Sequence, residues 1–136
     1  METQSTTFDD AAGRTWSCRV DWAAMRRSKA AGVDLSKYEE HLEAFYQLGP
    51  ELIDALWAVV SPQGKNPGMV DTLVQFEQSL TGEHLERARD ALAAGVCEFY
   101  PESRAAHIKA AVQAVEEQVQ KILSNYSFTS SQGGLG

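Results

Sequence analysis

Cysteine is scarce in this chain. Cys18 and Cys97 are the two it has, far apart and without a CxxC spacing. That excludes a disulfide framework and a dithiol redox motif, and predicts a reducing compartment. The opening Met1-Glu2-Thr3-Gln4-Ser5 has neither a positive start nor an apolar run, which points the same way, to the cytoplasm. Long hydrophobic runs are also missing. The richest stretch, Leu52 to Val60, carries Asp54 inside it and falls well short of the ~18 apolar residues of a membrane span. Basic charge is in deficit, with 12 Lys and Arg against 19 Asp and Glu and a formal charge of −7. Such a field repels phosphate backbones and anionic lipid, so neither nucleic acid nor membrane is an expected partner.

Catalytic signatures are absent too. No GxSxG, Walker loop, GxGxxG or HExxH occurs. His41, His84 and His107 stand on separate predicted helices, none with a second His or Cys three or four residues away, so no metal site is expected. Gly64 and Gly68 flank Lys65 and Asn66 without the strand-to-helix context of a phosphate cradle. Glu39, Glu40 and Glu43 fall on or beside a solvent face, where nothing would shift their pKa values. Cys97 beside Val96 reads as a structural thiol rather than a nucleophile. The expectation is a protein without cofactor or catalytic residue.

What is present is a globular balance of 43% apolar and 23% charged residues, enough for one core. Residues 1–14 and 125–136 read as flexible tails around a single domain over 15–124. Thr15 to Val20 alternates apolar and polar residues, as a short half-buried strand or an extended lead-in would. Asp21 suits the N-cap of a first helix that ends at Gly32. Ser36-Lys37-Tyr38-Glu39 matches a capping box for a second helix, with Tyr38, Leu42 and Phe45 on one face. Pro50 opens a third, carrying Leu52, Ile53, Leu56, Trp57 and Val60. Residues 63–68 contain nothing apolar and are expected to form an exposed loop and hinge. Asp71 can cap a fourth helix, in which Leu73, Phe76 and Leu80 face inward.

A fifth helix from about Glu83 has Leu85, Ala88, Leu92, Val96 and Phe99 at helical steps. Gly95 within it costs ~1 kcal/mol against Ala unless a neighbouring backbone packs close there. After Pro101, residues 102–123 form a last helix with Ile108, Val112, Val115, Val119 and Ile122 at steps of four, three, four and three. This seam either packs on the domain or extends and pairs with another helix, giving a homo-oligomer. The fold class is therefore mainly α, a compact bundle of five to six short helices with one short N-terminal strand and a long C-terminal helix. Arg14, Arg19, Arg26, Arg27 and Lys29 crowd the first thirty positions and read as a solvated face rather than an anion site.

From Trp16 to Pro101 the order of features, mostly apolar positions and turn residues, can be compared with a family. Gly32-Val33-Asp34-Leu35 precedes the second helix, and Glu51-Leu52-Ile53-Asp54-Ala55-Leu56-Trp57 lies in the third. Phe76 and Leu80-Thr81-Gly82 precede the fifth, which carries Ala88 and Ala91-Leu92 and closes on Phe99-Tyr100-Pro101. This order resembles the phage tail assembly chaperones, including relatives encoded in gene-transfer-agent and prophage tail clusters. The last helix and the Gly-rich end have no counterpart in that pattern.

The resemblance implies a non-enzymatic helical protein of the bacterial cytoplasm. It would bind the tape measure protein, or another helical tail protein, and keep its apolar helices soluble during tail assembly. A holder of apolar helices needs an aromatic and aliphatic groove, for which Trp57, Phe76, Phe99 and Tyr100 are the candidates. The alternative is that all four are core. Rival functional readings are a structural component of a phage tail or tail-like particle, and a small cytoplasmic helical adaptor unrelated to phage.

Overall fold

The computed structural model describes residues 5–135, with side chains described through Ser124. Its first element is an antiparallel hairpin of β1 (Thr7–Asp9) and β2 (Thr15–Ser17), in which Phe8 stands opposite Trp16. Phe8 and Trp16 both point into the core, while their strand neighbours Thr7, Asp9 and Thr15 face water. The turn between the strands is tied by one carboxylate. Asp10 Oδ1 accepts the amides of Ala12 at 3.0 Å and Arg14 at 2.9 Å. Its Oδ2 accepts Arg14 Nε at 2.8 Å and the indole Nε1 of Trp16 at 3.0 Å. Residues 5–14 are thus part of the fold rather than of a flexible tail, and the remaining Met1–Gln4 lie outside the described residues.

Among the described residues six α-helices follow: α1 (Trp22–Ala30), α2 (Tyr38–Tyr46), α3 (Pro50–Val60), α4 (Leu73–Gln78), α5 (Glu83–Phe99) and α6 (Glu102–Leu135). The protein is mainly helical, a bundle with one short N-terminal sheet and a long C-terminal helix. Several boundaries follow directly from local chemistry. Asp21 caps α1 by accepting the Ala24 amide at 2.8 Å, and Gly32 beyond its end has φ +88°. Pro50 opens α3 after the extended Gly49. Thr72, rather than Asp71, caps α4 through the Gln75 amide.

The expected capping box at Ser36 does not form. Asp34 instead accepts both the Ser36 amide at 3.0 Å and its hydroxyl at 2.7 Å, and residues 35–37 make a 3₁₀ turn before α2 begins. Glu39 is then free to turn outward, where its carboxylate meets Arg104 of α6 at 2.8 Å.

The core is organised around α5. Over Ala91 to Val96 this helix is buried on every side, which its small side chains permit. Gly95 is the point of closest approach, because a Cβ there would run into the carbonyl oxygen of Cys18 in the segment joining β2 to α1. Trp16, fully buried, sits edge-on to Trp57 at 6.1 Å and to Phe76 at 5.0 Å. Helix α1 packs across α3, and Arg27 closes the C-terminal end of α3 by donating to the carbonyls of Ala58 and Val59 at 2.6 and 3.2 Å.

The apolar-free segment at 63–68 is pinned rather than hinged. Gln63 Oε1 accepts the Ser17 amide at 2.9 Å and its Nε2 donates to the Ser17 carbonyl at 2.7 Å, so a side-chain amide stands where another strand would pair with the outer edge of β2. Gly64 is buried against the backbone of Val70 and Asp71, which leaves no room for a side chain.

The backbone of α6 runs on to Leu135, well past the expected end at residue 123. The predicted tail over 125–136 falls among residues whose side chains are not described.

Candidate functional site

The four candidate groove residues do not line one groove. Phe76 is completely buried, and half-buried Trp57 joins it at 5.0 Å within the aromatic core. These two aromatics on neighbouring helices close over Trp16 and Phe8, Phe76 as part of the core and Trp57 packed against it. Phe99 and Tyr100 lie elsewhere, half-buried at the C-terminal end of α5, with their rings 5.0 Å apart. Phe99 meets Trp22, the first residue of α1, whose ring stands edge-on to it at 4.9 Å. Trp22 is 67% exposed, the highest value among the large hydrophobic side chains so exposed. Arg104 lies 5.2 Å from the centre of the Tyr100 ring and closes the patch on the α6 side. Trp22 was not legible as part of this patch, because its step within α1 is compatible with an inward position.

The α6 seam divides in two. Ile108 is fully buried and Val112 and Val115 pack partly against the core formed with α2 and α5. Val119 is half-buried, and beyond it Ile122 and Leu123 are 60% and 55% exposed. The changeover is marked by a polar latch. Tyr46 donates its hydroxyl to Glu116 Oε2 at 2.9 Å, and the Arg89 guanidinium lies 4.1 Å over the Tyr46 ring. Burial, followed by the bond to Glu116, pushes the Tyr46 phenol well above its ordinary range, so the hydroxyl stays a donor. Beside the latch is a crevice of about 790 Å³ bounded by Tyr46 and Arg89 on the body and by Glu116, Val119, Gln120 and Leu123 on α6.

The polar and reactive groups are otherwise engaged separately. His41 Nδ1 meets Glu51 Oε2 at 2.8 Å, His84 Nδ1 meets the Asp9 carbonyl at 2.8 Å, and His107 stands 3.5 Å from Glu39. Among the described residues no group of three or more His, Cys, Asp or Glu is placed to hold a metal ion. Cys18 is buried and its thiol pKa is driven far up by desolvation, and Cys97, also raised chiefly by burial, lies 3.9 Å from the Ala105 carbonyl. Among the described residues no helix is long and apolar enough to cross a membrane.

Comparison of the chain with family models, with curated proteins and with solved structures finds no match.

Proposed function

We propose that this protein is an assembly chaperone of phage-type tails, working in the bacterial cytoplasm and holding helices of a tape measure protein in soluble form until the tail tube encloses them. The observation that carries this reading is the split seam of α6. Its spacing of four and three is that of a helix meant to pack on another helix. The inner half, Ile108 to Val115, has found its partners in α2 and α5. The outer half, Val119 and Ile122, keeps the same pattern past the body, where Val119 and Leu123 border an open crevice and Ile122 stands exposed beside it. A helical guest with an apolar stripe fits there, entering as a helix laid in a groove. The order of features from Trp16 to Pro101, which resembles tail assembly chaperones, supports the choice of guest.

Work of this kind needs no chemistry, only apolar surface on an acidic, self-repelling body. Co-expression with the tape measure protein of the same gene cluster tests it. The tape measure protein is expected in the soluble fraction with the native chain and in the pellet with the Ile122→Asp/Leu123→Asp variant, and the chaperone is expected to be absent from purified particles. A tape measure protein equally soluble without this chain, or stoichiometric retention of the chain in particles, overturns the proposal. The latter outcome is what a structural tail component predicts.

A further inference from the structure

The five basic residues of the first thirty do not form one solvated face. Arg14 is bound to Asp10, and Arg27 holds the end of α3. Arg26 and Lys29 are left on the surface of α1, as is Arg19 just before it, and none of the three makes an ion pair among the described residues. Trp22, Arg26 and Lys29 stand at steps of four and three on α1, which places them along one side of the helix. The adjoining side, Ala24, Met25 and Ser28, is the buried one. No acidic residue lies within α1 itself, and Asp34 is the carboxylate that acts on Lys29 from beyond its end. A basic strip thus runs from an exposed indole that is continuous with Phe99 and Tyr100, on a protein of net charge −7.

We propose that this face of α1 is a docking surface for an acidic amphipathic segment of a partner protein, which seats an apolar side chain on Trp22 and Phe99 and sets its carboxylates against Arg26 and Lys29. The inference does not depend on the α6 crevice or on the identity of the guest held there. Charge complementarity selects the occupant. Exposed cations around a large indole are a combination in which the aromatic supplies contact area and the charges supply orientation.

A nucleic acid fits less well. Its phosphates recur at every nucleotide, so a strand long enough to bind would run off a short cationic strip onto the acidic remainder of the surface. A peptide with a few carboxylates ends before that happens, since exposed charges act over only about 10 Å at ordinary salt.

The test uses a fluorescein-labelled synthetic peptide patterned as an amphipathic helix of glutamate and leucine, titrated with the full chain and read by fluorescence anisotropy. Binding is expected to weaken as salt rises, and to fall roughly tenfold or more in Trp22→Ala, as for an aromatic at the centre of an interface. The same loss is expected in Arg26→Glu/Lys29→Glu, whose positions are exposed on α1, so that this variant reads the surface even if Trp22→Ala loosens the packing against Phe99. The Ile122→Asp/Leu123→Asp variant should bind like the native chain, which separates this surface from the crevice. A lysine and leucine peptide of the same pattern should not bind. Failure of the glutamate peptide to bind, or unchanged affinity in Arg26→Glu/Lys29→Glu, overturns the proposal. So does tighter binding of oligothymidine or of phosphatidylserine vesicles at the same strip, since each would assign the surface to a different occupant.

Discussion

Gly95→Ala is a change that helix propensity and packing judge oppositely. In an exposed helix interior the substitution gains ~1 kcal/mol, because alanine loses less backbone freedom on folding. At position 95 the new Cβ meets the Cys18 carbonyl oxygen head-on, with the carbonyl carbon 3.0 Å away and Val20 Cγ2 at 3.4 Å. The obstacle is backbone, and it is tethered. The Cys18 amide donates to the Thr6 carbonyl at 2.7 Å, and Ser17 immediately before it is held on both sides by Gln63. Retreat of this segment therefore disturbs the hairpin that covers Trp16. Overpacking of a close-packed interior costs about 1–3 kcal/mol, and a tethered backbone belongs at the upper end. After the propensity gain is subtracted, a net loss of about 1–2 kcal/mol is expected, or a thermal midpoint lower by roughly 4–8 °C for a domain of this size. Thermal unfolding followed by circular dichroism at 222 nm reads it, with the exposed Ala106→Gly in α6 as the propensity control. A Gly95→Ala midpoint equal to or above that of the native chain would refute the close approach, because propensity would then have acted unopposed.

Asp10 makes the fold acid-sensitive. Burial alone would raise its carboxyl pKa, but the bonds from Trp16 and from the amide and guanidinium of Arg14 outweigh it and hold the group below its ordinary 3.8. A depressed folded-state value contributes stability that is present above the unfolded value and lost as pH falls through the folded one. Asp10→Asn is accordingly expected to cost about 1.5–3 kcal/mol at neutral pH, and the gap to the native chain should close in acid; urea midpoints across a pH series check this, and a constant gap contradicts it. Gln63→Ala should cost about 1–2 kcal/mol and leave the Ser17 amide open to solvent. Faster hydrogen exchange at Ser17, with slow exchange kept at Cys18, is the signature, and unchanged protection at Ser17 would show that the side-chain amide does not close that edge.

Elements whose ends are set by their own residues were legible from the sequence. Asp21, Pro50 and Gly32 act within a turn of themselves, and the stripe of α5 repeats often enough to fix which side faces in. The strand at Thr15–Ser17 was legible from its alternation, but its partner β1 was not, because β1 is three residues long and offers one inward side chain, Phe8, to any periodicity. What orders residues 5–14 is the convergence of Ala12, Arg14 and Trp16 on Asp10, and a carboxylate in a polar stretch looks the same whether it faces water or ties a turn. Gln63 is the same case at longer range, since its partner Ser17 lies 46 residues away. The capping box failed for a related reason: two carboxylates, Asp34 and Glu39, compete for the Ser36 amide. The nearer carboxylate takes the Ser36 amide, and Glu39 is drawn to Arg104, a partner from beyond that turn.

The surfaces raise a sharper problem, because periodicity says which way a side chain points and not whether anything lies beyond it. Phe76 and Phe99 have the same standing in their helices, yet Phe76 is covered by Phe8, Trp16 and Trp57, while Phe99 meets an indole that is itself exposed. The α6 seam is the plainest instance. Ile108 and Ile122 belong to one unbroken pattern, and the first is fully buried while the second is 60% exposed. No residue between them breaks the helix. The difference arises because α2 and α5, which cover Ile108, give way to open solvent along the length of α6, and the Tyr46–Glu116 bond marks where the body stops. A pattern that outlasts its intramolecular partner costs solubility for every apolar side chain left uncovered, and its continuation through Val119 and Ile122 is the stretch that the proposed helical guest would cover.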